Sequence, residues 1–61
     1  MKRKDLLRHL EAHGCVFFRE GKKHTLYKNP ATGAISAIPR HRLIKRILAH
    51  KICDDLGVPH P

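Results

Sequence analysis

The sequence predicts an α+β fold in which two helices cover one face of a three-stranded antiparallel sheet. Three observations carry that expectation. Stretches with helical apolar spacing stand near both ends of the chain, two turn signals cut the segment between them into three β-forming runs, and the whole has only 61 residues. A chain of that length buries about 60% of the surface its unfolded form exposes, so two layers around one core are the simple solution. No repeat, low-complexity stretch or linker divides it, and we expect one domain over residues 1–61.

The first helix is expected from about Lys4 to His13, because Leu6, Leu7 and Leu10 fall at i, i+1 and i+4 and form one stripe. Asp5 stands in its first turn, where a carboxylate is favourable to the helix dipole. Gly14 stands where the chain must turn left-handed to leave the helix, a conformation open to a residue without a β-carbon.

Cys15 to Arg19 is rich in β-formers, and Gly21 between Glu20 and Lys22 marks a turn. Lys23 to Lys28 resumes an extended pattern. Alternation places His24, Leu26 and Lys28 on one face, with Thr25 and Tyr27 on the other. Asn29-Pro30-Ala31-Thr32-Gly33 is a second turn, since Pro30 lacks a ladder donor and Gly33 accepts positive φ. Ala34 to Ile38 is a third strand, ended by Pro39. Short turns between successive strands predict an antiparallel meander with one face left open.

The last element reads as a helix with Ile44, Ile47, Leu48, Ile52 and Leu56 along one continuous stripe, closed by Gly57 and Pro59. Arg42, Arg46, His50 and Asp54 fall on its flank or opposite side. Leu43 projects at the margin of the stripe beside Ile47, toward solvent.

Charge points to the partner. Thirteen Lys and Arg against five acidic residues leave a formal net charge of +8. Polyphosphate is the common match for such density, because each neutralised phosphate releases condensed counterions. A membrane surface would call for an amphipathic helix with a bulky aromatic face, and Phe17, Phe18 and Tyr27 all lie outside the expected helices. No stretch approaches the ~20 apolar residues of a membrane span. The basic Lys2-Arg3-Lys4 is followed by no apolar export segment, so a cytoplasmic setting is expected, with Cys15 and Cys53 as free, buried thiols.

Several chemistries are disfavoured. There is no nucleotide-binding glycine motif and no serine-hydrolase signature. Asp5, Glu11, Glu20, Asp54 and Asp55 are scattered, whereas a two-metal nuclease clusters its carboxylates. His9 and His13 share a helix flank, but two histidines without a third ligand make a poor zinc site, so no metal or other cofactor is expected. A metal-free route to RNA cleavage remains. A 2′-hydroxyl attacks the adjacent phosphate when a base takes its proton and cations stabilise the phosphorane. His24 suits the imidazole of such a site, following Gly21-Lys22-Lys23 at the start of the second strand, with nearby cations holding part of its population neutral. Lys22, Lys23, Lys28, Arg40 and Arg46 are the expected RNA-binding residues. From the residues alone, the commoner role for such a histidine is to cap the strand edge or to hydrogen-bond RNA without cleaving it.

The run from Arg19 to Pro30, with its histidine after a glycine-containing turn and an aromatic three residues beyond, resembles the strand–turn–strand signature of the HicA toxins. The opening Lys4-Asp5-Leu6-Leu7 with Leu10-Glu11 and Gly14 is similar to that family, as are Ile38-Pro39-Arg40-His41 and Leu56-Gly57-Val58-Pro59. The resemblance implies a double-stranded-RNA-binding-like α-β-β-β-α fold. It also implies an mRNA interferase, with His24 catalytic, restrained by a cognate HicB-like antitoxin. Relatives often carry another small residue where this chain has Lys22-Lys23, and commonly an acid at the place of Leu43. An acid at the start of a helix contributes about 0.3–1 kcal/mol through the dipole, which leucine forgoes. The competing expectation is a non-catalytic RNA-binding module of the same fold, gripping RNA through basic residues such as Lys45, Arg46 and Lys51.

Overall fold

The two leucine-rich ends and the three strands close on one core. A computed structural model describes all 61 residues, in the order α1 (Arg3–Ala12), β1 (Val16–Glu20), β2 (His24–Asn29), β3 (Ala34–Pro39) and α2 (Arg46–Leu56). The strands form one antiparallel sheet in the order β1-β2-β3. This is the α-β-β-β-α arrangement that periodicity predicts, with element ends displaced by one residue for α1 and the strands and by more for α2.

Alternation along β2 decides the two faces. Thr25, Tyr27 and Asn29 are buried, while His24 is exposed and Leu26 and Lys28 are partly covered. Ser36 and Ile38 of β3 join the buried side. Against it lie Leu6 and Leu10 of α1 and Ala49, Ile52, Cys53 and Leu56 of α2. The polar members of the buried face are tied to the helices. Tyr27 donates its hydroxyl to Glu11 at 2.9 Å, and Asn29 Nδ2 donates to the Leu56 carbonyl at 2.8 Å. Asn29 thus satisfies an orphan carbonyl at the end of α2 while its Oδ1 accepts from the Ala31 N–H in the β2–β3 turn.

The glycine that ends α2, Gly57, has φ 71°, as a left-handed helix cap requires. Cys15 and Cys53 are both buried and unbridged. No helix is long and apolar enough to cross a membrane.

The start of α2 departs from the expected stripe. The helix begins only at Arg46, and the preceding residues pair with the N-terminus instead: the Ile44 N–H donates to the Met1 carbonyl at 2.7 Å and the Arg3 N–H to the Arg42 carbonyl at 2.8 Å. Ile44 is buried from this extended connector, not from a helix. Ile47 is 84% exposed and does not belong to the buried stripe. It lies five residues before Ile52, about 140° around a 3.6-residue helix, so the two cannot share a face. Leu43 is exposed, as expected, but stands opposite Lys2 in a β-bridge, ahead of the helix.

Edge strand β1 carries a bulge. Its pairing with β2 runs Phe17 to Tyr27 and then Arg19 to Leu26, leaving Phe18 as the extra residue. The Phe17 ring meets Tyr27 edge-on at 6.4 Å, whereas the Phe18 ring lies 5.5 Å from the Lys28 ammonium, on the open side. Two successive phenylalanines therefore serve opposite faces. A regular strand would give the same alternation, but the bulge also restores Arg19 to the open face beside Leu26.

Candidate active site

The turn between β1 and β2 is closed by its own backbone. Gly21 donates its N–H to the His24 carbonyl at 2.7 Å, which brings the first residue of β2 back against the end of β1. A second residue locks the same turn from outside. Arg40 follows Pro39, the register partner of His24 on β3, and its Nη2 reaches the Gly21 carbonyl at 2.6 Å and the His24 carbonyl at 3.4 Å. Its Nη1 approaches the Lys22 carbonyl at 3.4 Å, and Nη2 is also paired with the Glu20 carboxylate. Three turn carbonyls and one carboxylate thus converge on a single guanidinium, whose planar fork of donors suits several acceptors at once.

Glu20 continues inward. Thr25 donates its hydroxyl to Glu20 Oε1 at 3.0 Å and accepts from Arg3 Nη2 at 2.8 Å, while Arg3 Nε donates to the Pro39 carbonyl at 3.0 Å. The relay Arg40–Glu20–Thr25–Arg3 ties the segment just after β3 to β1, β2 and α1 at the end of the sheet where His24 pairs with Pro39. The Thr25 hydrogen bond first, then Arg40 and Arg3 working against desolvation, hold the Glu20 carboxyl below the ordinary glutamate range. On the neighbouring buried position, burial and then the bond to Glu11 push the Tyr27 phenol up.

His24 itself projects from the open face, and its imidazole makes no hydrogen bond within the protein. Backbone and side chain differ here: the carbonyl is anchored, and the ring is left without a partner. The surrounding face mixes apolar and cationic groups. Leu26 pairs with Arg19 and Ala37, and Lys28 pairs with Val16 and Ile35. Asp5, Glu11, Asp54 and Asp55 are on the helices, and Glu20, exposed at the edge of the turn, shares the side of Thr25 and is paired with Arg40.

The expected RNA-binding residues are not one cluster. Lys22 and Lys23 are exposed in the turn beside His24, and Arg40 is at the same end, engaged with turn carbonyls and Glu20. Lys28 shares the His24 face but stands four residues along the strand, about 13 Å away at ordinary strand rise, too far to contact the same phosphate. Arg46 is exposed at the start of α2, in the layer behind the sheet. Sequence reasoning did not single out Arg3, Glu20 or Thr25 for this site. Their contacts bridge separations of up to 36 residues, and no local pattern announces them.

His9 and His13 have ring centroids 4.7 Å apart, and His9 Nε2 lies 2.6 Å from the Pro59 carbonyl, where it can donate to hold the C-terminal segment. No group of three or more His, Cys, Asp or Glu side chains is arranged to hold a metal ion.

Compared with known proteins, residues 3–58 match the family model described as HicA toxin of bacterial toxin-antitoxin. That span runs from the first residue of α1 to just past the glycine that caps α2. No curated protein and no solved structure matches the chain.

Proposed function

Because the chain belongs to the HicA toxin family and is therefore the toxin partner of a cognate antitoxin, we propose that it is a metal-independent endoribonuclease that cleaves mRNA through His24. The observation that supports this most directly is the division of labour at that residue. Its backbone is fixed by Gly21 and Arg40, while its ring stands unbonded on a cationic face whose one nearby carboxylate, Glu20, is engaged by Arg40 and Thr25.

The chemistry needs no further reagent. The neutral His24 ring takes the proton from a ribose 2′-hydroxyl, and the 2′-oxygen bonds to the adjacent phosphorus. The P–O bond to the 5′-oxygen of the next nucleotide breaks, and that oxygen takes a proton from the imidazolium or from water. The products are a 2′,3′-cyclic phosphate and a 5′-hydroxyl. Lys22 and Lys23 are the cations nearest the developing phosphorane charge, and Lys28 holds a phosphate farther along the strand. Leu26, Phe18 and Ile35 offer apolar surface for unstacked bases between these cations.

The antitoxin is expected to present an acidic surface to the same open face, burying His24 in place of RNA. The site of action is the cytoplasm, where both message and antitoxin are made. The deciding experiment incubates the protein with labelled single-stranded RNA, beside a His24→Ala variant and a substrate with 2′-deoxyribose at the scissile position. Cleavage should fall at least about 10²-fold in the variant, the low end for a positioned acid–base group, with RNA affinity nearly unchanged. The deoxy substrate should resist cleavage because its nucleophile is missing. Full activity of His24→Ala would remove His24 from the mechanism, and cleavage of the deoxy substrate would rule out internal attack.

A further inference from the structure

A second concentration of positive charge, apart from the open sheet face, lies in a cleft of about 270 Å³ lined only by Lys2, Arg3, Lys4 and Arg42. No apolar side chain and no carboxylate lines it. Two chain segments that are distant in sequence build it. The Arg3 N–H donates to the Arg42 carbonyl at 2.8 Å, the Ile44 N–H to the Met1 carbonyl at 2.7 Å, and Lys2 stands opposite Leu43 in a β-bridge. This pairing holds four like charges around one concavity. Like charges repel one another, and an anion in the cleft would offset that repulsion.

The side chains are available for one. Lys2, Lys4 and Arg42 are exposed and make no side-chain hydrogen bond or ion pair within the protein. Arg3 is different: its guanidinium is committed to the Pro39 carbonyl and Thr25, both at the end of the sheet where His24 pairs with Pro39. Arg3 therefore fixes the cleft to the His24 end of the molecule. Arg42, which lines the cleft, stands two residues beyond Arg40, so the segment that leaves β3 at Pro39 leads into it.

We propose that the cleft is a second phosphate-binding subsite, which grips the RNA backbone beyond the scissile position and supplies affinity rather than chemistry. The identity of the polyanion rests on the ribonuclease reading, but occupancy of the cleft is measurable without cleavage. Binding of an RNA oligonucleotide made uncleavable by 2′-deoxy substitution is followed against salt for the parent protein, Lys2→Gln, Arg42→Gln, the double variant, and Arg8→Gln, an exposed α1 cation outside the cleft. Circular dichroism melts confirm that each variant is folded. Each cleft substitution should lower the log–log salt slope by about 0.7 and weaken binding about 5-fold at 0.1 M salt, or roughly 25-fold for the pair. Arg8→Gln should leave both unchanged, and single-turnover cleavage of ordinary RNA at saturation should be unaltered in all variants. Equal losses from Arg8→Gln and the cleft substitutions, or no loss from the cleft substitutions, would overturn the subsite while leaving the His24 mechanism untouched. A parent protein whose RNA binding ignores salt would likewise overturn the subsite.

Discussion

Gly21 and His24 are joined so closely that position 21 leaves little room for a side chain: a β-carbon on Gly21 would lie 3.0 Å from the His24 carbonyl oxygen, the atom that accepts the Gly21 N–H. The glycine is favoured here by close approach, since its φ is not in the left-handed region. Its neighbour is backbone, so relief must move the first residue of β2. Gly21→Ala should therefore displace His24 and lower single-turnover cleavage about 10-fold or more, the scale on which misplaced reacting groups lose rate. Global stability should fall by no more than about 1 kcal/mol, because the core is untouched. Cleavage at the parental rate would show that the position of the His24 backbone is immaterial.

Glu20 links this turn to acid. Its carboxyl titrates below the ordinary glutamate range because the Thr25 hydroxyl, then Arg40, favour the charged form. A depressed folded-state value means that Glu20 contributes stability above its unfolded value of about 4.3, and loses that contribution as pH falls through the lower folded value. In Glu20→Gln this part of the acid limb should flatten when melting temperature is followed from pH 6 to pH 2. Amide exchange at Lys22 and Lys23 should quicken, since Arg40 loses its ionic partner. An acid limb identical to the parent's would show that the relay does not hold the turn.

At Leu43 the outcome differs from that expected of a helix N-terminus. The residue is 66% exposed and three positions ahead of α2, outside the first turn where the dipole acts. Leu43→Glu should leave melting behaviour within about 0.5 kcal/mol of the parent, as exposed substitutions do. It places a carboxylate beside Lys2, so RNA affinity should weaken while cleavage at saturation persists. Stabilisation of α2 by the full dipole contribution would contradict the observed helix start.

The two thiols should be inert while the chain is folded. Burial pushes Cys15 up, and burial followed by the nearby Asp54 charge pushes Cys53 up, so little thiolate exists near neutral pH. Iodoacetamide at pH 7.5 should label neither residue in the native protein and both in denaturant, read by intact mass. Rapid native labelling would mean that the core opens around them.

The order of elements was legible because each signal is local. Leu6 and Leu10 one turn apart, the glycines at 14, 33 and 57, which all adopt positive φ, and the alternation of Thr25 and Tyr27 against His24 and Leu26 each depend on neighbours within a few residues. The exposure of His24 on an open sheet face followed from the same alternation. The start of α2 was not legible: Ile44 and Ile47 fit an apolar helical spacing, and nothing nearby shows that residues 42 and 44 bond to the N-terminal segment. Those bonds hold the connector extended, delay the helix to Arg46 and turn Ile47 outward. The support at the His24 end of the sheet was hidden for the same reason, since Glu20, Thr25 and Arg3 on three elements meet Arg40 from the segment after β3. Periodicity reports which face of an element is apolar, because that depends on residues a turn or a pleat apart. Which polar side chain reaches which distant partner depends on how the elements pack, and that only the tertiary structure decided.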